Sequence, residues 1–433
     1  MLPIIVIASL SIIGMLTCII LYPRIKFKTF SIETYWIAPL IGAILILSLN
    51  LVSFESFTNG LIKDNAINPI EILTLFFSMT LISIVLDETG FFEKLASIVV
   101  KKAKTNQYTL FFLLYLLVSC LTIFTSNDII IITLTPFIIF FCKNTKINPI
   151  PYLISEFVAA NTWSMLLIIG NPTNIYLGST FAISFFEYFE VMFVPTVLAG
   201  LTSLGTMFLL FRKKLGVKMD AVIKEVHVKD KFLFVFSLSL LSLCIIFMAI
   251  SSFINIPMWT VASVSCALLI VASFIYAIIN PSCIKILKNS AKRLPFATIP
   301  FILSMFVFVL ACNEVEITKE IANMLNQINN PIVSYGLSSF ICANLINNIP
   351  MSIFYSSVLT YSTSGIRSIY SVIISSNIAA FLTPLGALAG IMWMSILKDK
   401  EIKLSFLNFT GYGLLISIPT LLMAFISLYL VTI

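Results

Sequence analysis

Apolar residues run along this chain in blocks of about twenty, the length a helix needs to cross a bilayer core, and not in the half-polar periods of a water-soluble fold. The blocks predict spanning helices over residues 2–22, 35–54, 70–86, 153–169 and 191–211, then over 232–253, 257–279, 296–312, 370–382 and 414–431. Two other apolar stretches, 108–141 and 332–359, are too long for one crossing and are interrupted, by Thr125-Ser126-Asn127-Asp128 and by Asn344-Leu345-Ile346-Asn347-Asn348-Ile349-Pro350. They read as re-entrant hairpins. The spans at 153–169 and 370–382 run into a second kind of break, Gly170-Asn171-Pro172-Thr173-Asn174 and Leu382-Thr383-Pro384-Leu385-Gly386, and continue past it. The expected fold is an all-α polytopic membrane protein with ten crossings and two hairpins.

Five crossings per half is an odd number, so the second half is expected to insert with inverted orientation. The expected units are a first transmembrane repeat at 1–212, a basic linker at 213–231 and a second, inverted repeat at 232–433. Placing the N-terminus outside puts all but Lys63, Lys319 and Arg367 of the 26 basic residues on one face, Lys28 among the majority. The positive-inside rule makes that face cytoplasmic, with both termini outside and the linker inside. After the third helix of each half, residues 91–99 and 317–324 carry apolar residues at helical spacing with Lys and Glu between them, as suits a helix lying in the interface.

Composition fixes the class. With 59% hydrophobic and 10% charged residues and a mean hydropathy of +1.07, a soluble globular protein is excluded. The first apolar block lacks a basic leader and a cleavage site, so it reads as a retained helix. The net charge of +7 lies in short loops and follows from topology, so nucleic acid is not an expected partner. The only histidine, His227, reads as a solvated linker residue. The eight cysteines lie scattered without CxxC spacing, which argues against a disulfide framework or a zinc site. Neither a cofactor nor a metal is expected.

The four breaks carry the candidate chemistry. A helix stopped at membrane depth presents free N–H groups and its positive dipole end, whereas an unwound stretch presents carbonyls. Ser126, Asn127, Asn171, Thr173, Asn174, Asn347, Asn348 and Thr383 add neutral donors and acceptors there and are the candidate substrate ligands. Pro172, Pro350 and Pro384 stop helix continuation, and Gly170 and Gly386 permit close backbone paths. Asp128 is the sole carboxylate at a break, which makes it the candidate ion-coupling residue. Glu156, Asp87 and Glu88 read as interfacial acids. With no Lys or Arg in the predicted core, a small neutral or singly charged solute is favoured. Cys120 and Cys342 precede the hairpin tips and read as small apolar residues before thiolate ligands.

The run Leu86-Asp87-Glu88-Thr89-Gly90-Phe91-Phe92-Glu93, the tip Phe124-Thr125-Ser126-Asn127-Asp128 with Leu134-Thr135-Pro136, the run Asn347-Asn348-Ile349-Pro350, and Leu382-Thr383-Pro384-Leu385-Gly386-Ala387-Leu388-Ala389 with Trp393 resemble the arsenical pump membrane protein family, the arsenite and antimonite exporters of the ion transporter superfamily. The resemblance implies ion-driven export by alternating access and, in some members, an accessory cytosolic ATPase. The leading expectation is a secondary transporter that exchanges protons for arsenite or antimonite. A sodium- or proton-coupled anion or carboxylate carrier of the same fold is the alternative, and a sodium/proton antiporter a third. Expected partners are the lipid bilayer, a small inorganic or anionic substrate, protons or sodium, and either that ATPase or a homo-oligomer. A channel or a membrane-bound enzyme fits less well, since no phosphate loop, HExxH or nucleophile elbow occurs.

Overall fold

The computed structural model describes residues 1–22, 24–26, 31–62, 68–219 and 227–433. Lys28, Lys63 and residues 220–226 of the expected linker lie outside the described residues. The chain opens with α1 (Leu2–Leu21) and a small antiparallel hairpin, β1 (Arg24–Lys26) and β2 (Ser31–Glu33). Then come α2 (Ile37–Ser48), α3 (Phe54–Ile62), α4 (Pro69–Glu88), the amphipathic α5 (Phe91–Ala103) and a hairpin of α6 (Gln107–Phe124) and α7 (Asn127–Asn144). A broken helix follows, α8 (Ile150–Trp163), a 3-10 turn at Ile168–Gly170 and α9 (Pro172–Thr180), and α10 (Phe185–Leu215) closes the half.

The second half repeats this order. It runs α11 (Lys231–Ile250), α12 (Met258–Ile279), α13 (Ser282–Arg293), α14 (Thr298–Glu314), α15 (Ile317–Asn326), the hairpin α16 (Pro331–Ile346) and α17 (Asn348–Leu359), the broken helix α18 (Ile366–Ile378), a 3-10 turn at Ala379–Phe381 and α19 (Leu388–Asp399), and finally α20 (Phe406–Val431). Even the start signals match. Asn106 caps the first hairpin as Asn330 caps the second, each accepting from the N–H groups two and three residues on, and Ser184 caps α10 as Ser405 caps α20.

Burial sorts the helices. Every residue of α8 from Pro151 to Thr162 and of α18 from Ser368 to Asn377 is buried, so these two form the centre. Around them lie helices whose outer faces carry exposed Ile, Leu and Phe, as on α12 and α20, the surface a lipid solvent requires. Among the described residues, nine helical stretches are long and apolar enough to cross a membrane. α5 buries only the stripe Phe92, Ala96, Val100 and Ala103, and α15 only Thr318 and Ala322, as expected of interfacial helices.

The structure departs from the sequence reading in several places. The span expected at 35–54 is helical only over twelve residues, which reach about 18 Å. The chain then turns through Asn50 in the left-handed region, φ 52°, before α3. α10 is longer than expected, at 31 residues. The arms of the first hairpin have 18 residues each, long enough to cross. What turns the chain back is the extended backbone at Thr125 and Ser126. The small β hairpin, α3 and α13 were not anticipated. Burial pushes the Glu33 carboxyl at the end of β2 above its usual range, against the opposing pull of Arg24, which lies 3.5 Å away.

Asp87 and Glu88 are not simple interfacial acids either. The Arg293 guanidinium, at the end of α13, meets Asp87 at 2.6 Å and Glu88 at 2.8 Å and donates to the Thr133 hydroxyl of α7 at 3.2 Å. Thr133 in turn donates to Asp87 at 2.6 Å. One arginine thus ties α13 to α4 and to the first hairpin. Removing it strands a buried carboxylate, which for a fully buried pair costs about 3–5 kcal/mol. Arg293 itself is 28% exposed, so we expect about 1–3 kcal/mol for Arg293→Ala, read as a fall of several degrees in the unfolding midpoint of the detergent-purified protein. An unchanged midpoint would refute that role.

Candidate functional site

At the first hairpin tip, Asn127 is 2% exposed and its side-chain amide donates to Asn161 Oδ1 of α8 at 3.0 Å. Asn127 Oδ1 and Ser126 Oγ, both buried, have no protein partner. Ser126 occupies the N-cap of α7 yet makes no side-chain cap, so the first turn of α7 keeps its N–H groups unanswered by a side chain. Asp128 stands in that turn, half-buried, where the helix dipole favours a negative charge. Asp128 and Ser126 line a cavity of about 560 Å³ together with Arg24, Glu33, Lys292 and Arg293. Cations the sequence assigns to loops therefore flank the approach to the tip.

At the first helix break, α8 ends at Trp163 and the freed carbonyls are met from within the break. Asn174 donates to the carbonyls of Ser164 at 2.8 Å and Leu167 at 3.3 Å, while Asn171 caps α9 by accepting from the N–H and hydroxyl of Thr173, each at 3.1 Å. Pro172, at the first position of α9, has no N–H to satisfy. Gly170 is required by space: a Cβ there would sit 2.3 Å from the Ser164 carbonyl oxygen.

The second hairpin and second break close on each other. Asn347, in the left-handed half of backbone space at φ 80°, accepts from Ile349 N at 3.3 Å and donates to the Leu385 carbonyl at 3.1 Å. Asn348 N donates to the Gly386 carbonyl at 3.1 Å and its side chain to the Ser376 carbonyl at 3.3 Å, leaving Asn348 Oδ1 unpartnered. Thr383 donates to Asn344 at 2.8 Å. Pro350 lies in the first turn of α17, and Pro384 lies between Thr383 and the Leu385 carbonyl that Asn347 grips. A Cβ on Gly386 would lie 2.1 Å from the Ala379 carbonyl oxygen, the counterpart of the Gly170 contact.

The halves meet at Asn377, near the end of α18. Its Oδ1 accepts from Ser164 at 3.0 Å and Asn171 at 2.8 Å, and its amide donates to Asn174 at 2.7 Å. Thr173 is 3.0 Å from the Ser376 hydroxyl beside it. Of the predicted residues, Asn171, Thr173 and Asn174 thus join the second half directly, and Asn347, Asn348 and Thr383 form their own cluster next to it. Ser126, Asn127 and Asp128 stand apart, in hydrogen-bond contact only through Asn161. Sequence reasoning missed Asn161, Ser376 and Asn377 and named Asn344 only as part of the break, although polar residues just ahead of a break in an apolar run were the available signal. Cys120 is exposed and Cys342 half-buried, and among the described residues no group of three His, Cys, Asp or Glu could hold a metal.

The family model for citrate transporters, CitMHS, matches residues 33–363, which include both hairpins and the first broken helix. The chain belongs to the citrate transporter family. This family member is 25% identical over 374 residues to the arsenical pump membrane protein of Yersinia enterocolitica, covering 82% of the chain and 85% of the relative. It is 26% identical to that of Escherichia coli K12, with the same coverage, and 22% identical to a 46 kDa membrane protein of Mycobacterium leprae over 91% of the chain and 93% of the relative. The resemblance to arsenical pump proteins read from the motifs is borne out. The crystal structure of the Alcanivorax borkumensis YdaH transporter superposes with a TM-score of 0.56 at 12% identity, covering 99% of this chain and 98% of that one, and shows the same fold.

The glycine contacts give a test of the paired breaks. Overpacking a close-packed core costs about 1–3 kcal/mol, and here the obstacle is backbone. Gly170→Ala and Gly386→Ala should each lower the thermal midpoint and the yield of folded protein, whereas Gly205→Ala, which meets nothing within 4 Å, should leave both intact or slightly improved. Equal tolerance of all three would mean that the breaks are not closely packed.

Proposed function

We propose that this integral membrane protein is a secondary transporter that exports arsenite or antimonite in exchange for protons by alternating access. The observation that carries the reading is similarity to proteins named arsenical pump membrane proteins across both halves, with 82% of this chain and 85% of the relatives aligned. The chemistry of the breaks supports it. Their side chains are amides and hydroxyls without a cation, a set that can hydrogen-bond an uncharged metalloid hydroxide without stranding a charge in low dielectric. In this reading Ser126, Asn127, Asn171, Thr173, Asn174, Asn347, Asn348 and Thr383 are substrate ligands, and Asp128 carries the proton. Residues 1–212 and 232–433 are inverted repeats joined by the 213–231 linker in the cytoplasm, with both termini outside the cell membrane.

One observation favours a second reading, an anion or carboxylate carrier. Arg24, Lys292 and Arg293 flank the cavity that reaches the uncapped first turn of α7, an arrangement that draws anions toward a helix N-terminus. The family description also names citrate.

Everted membrane vesicles with an imposed proton gradient separate the two. The expected result is gradient-driven accumulation of arsenite by the wild type and a loss of at least about tenfold in Asp128→Ala, with arsenite exchange partly retained. Citrate accumulation without arsenite accumulation would replace the first reading by the second, and normal driven uptake in Asp128→Ala would remove Asp128 from the coupling step.

A further inference from the structure

Glu156 is unused by the mechanism above, and its setting is unusual. It lies in α8, one of the two central helices, and is 1% exposed. Both carboxylate oxygens accept from the Thr135 hydroxyl of α7, at 3.0 and 2.9 Å. The Trp393 indole of α19 packs on Phe157, the residue after Glu156, and its buried N–H has no hydrogen-bond partner. Phe157 and Phe409 pack on that indole with ring centroids 5.0 and 5.6 Å away and close the site to water. Among the described residues no Lys or Arg pairs with Glu156, in contrast to Asp87 and Glu88, which share Arg293. A carboxyl sealed among aromatic rings with one hydroxyl for company is not held there by a countercharge.

Its titratable neighbours are committed elsewhere or distant: Tyr152 of α8 donates its hydroxyl to Gln107, Lys398 and Asp399 of α19 are exposed five and six residues beyond Trp393, and Tyr412 of α20 packs on Phe211 and Lys214. On α7 the titratable groups nearest Thr135 along the helix are Asp128 and Cys142, each seven residues away, or about 10 Å. α6 contributes Tyr115, whose hydroxyl is committed to the Gly200 carbonyl and Ser203 of α10. α10 meets the end of α8 with Gly200 against Trp163, and α18 brings the neutral Asn377. The one change of charge available to this pocket is a proton on Glu156.

The position links that proton to the hairpin tip. α7 and α8 are joined by two polar rungs, Asn127 to Asn161 at the tip and Thr135 to Glu156 below it. We propose that Glu156 is a second proton site of the transport cycle, reading and setting the seating of the first hairpin through Thr135. On loading, when the first hairpin lifts from α8 and admits water, a proton joins a carboxylate oxygen of Glu156, giving a neutral acid, and the Thr135 hydroxyl no longer donates to a charge. On unloading, the same proton returns to water on the other side and the charged rung re-forms. Whatever binds at the tip and the proton at Glu156 must then affect each other reciprocally. The proposal rests on the reading of the chain as a proton-coupled transporter, and its test separates the two.

The first measurement is infrared difference spectroscopy of the purified full-length protein between pH 5 and pH 9. The carbonyl-stretch region should show a protonated carboxyl that disappears as pH rises, is missing in Glu156→Gln and is displaced in Thr135→Val. The second is transport in proteoliposomes, where Glu156→Gln should keep arsenite exchange within about twofold of wild type while gradient-driven accumulation falls about tenfold and loses its pH dependence. Glu156→Asp should retain driven accumulation, which excludes a folding defect as the cause. If arsenite fails to move in the wild type but the carboxyl titrates and vanishes in Glu156→Gln, the cargo is wrong and the proton site stands. An infrared signal unchanged in Glu156→Gln, or full driven accumulation in that variant, overturns the proposal.

Discussion

Backbone groups freed by a broken helix, where water is absent, must find partners inside the protein, and the centre of this molecule is organised around that requirement. The breaks release carbonyls that a continuous helix would have used; tight backbone turns answer some of them and side-chain amides answer others. Asn174 answers Ser164 and Leu167, Asn347 answers Leu385, and Asn348 answers Ser376. Asn377 then gathers Ser164, Asn171 and Asn174 of the other half onto one side chain. The two broken helices are therefore a single hydrogen-bonded unit, and a shift in one cannot leave the other's polar groups satisfied.

That unit is not symmetric in how far it is closed. The tip of the second hairpin is tied to its break through three asparagines and a threonine, with one spare oxygen there, on Asn348. The tip of the first hairpin is tied by one hydrogen bond between amides and keeps spare oxygens on Ser126 and Asn127 beside an open cavity. An arriving polar solute would replace missing hydrogen bonds at the first tip and would have to break existing ones at the second. The cost of leaving a buried polar atom unpaired, about 1–3 kcal/mol, sets the scale of that difference.

Charge is distributed to the same effect. Arg293 is neutralised by Asp87 and Glu88 at the edge of the cavity, so it fixes α13 against α4 while still presenting a guanidinium to what enters. Deeper in, the groups are amides and hydroxyls with one half-buried acid, Asp128, at the tip and one sealed acid, Glu156, behind it. A carrier gains from this order: charged groups attract at the mouth, where water screens them, and neutral groups bind where desolvating an ion would cost most.

Much of this was legible in the sequence, because it depends on residues near one another in the chain. Blocks of about twenty apolar residues define spans, Asn and Ser ahead of them cap helices, and Gly, Pro and Asn inside them mark the four breaks, all of which the structure places where the pattern does. Lys and Glu at helical spacing likewise announced α5 and α15. Partners were not legible. Glu156 reads as an interfacial acid until α7, α19 and α20 close over it, and Asp87 and Glu88 read the same way until Arg293 arrives from some 205 residues along the chain. Asn377 only ends a short polar patch, Ser375-Ser376-Asn377, until the other half docks on it, and the shortness of α2 follows from a turn at Asn50 that hydropathy cannot register. Hydrophobic period and helix stops are properties of a local stretch, whereas the partner of a buried polar group is decided by which distant helix packs against it, and that is settled only when the two halves come together.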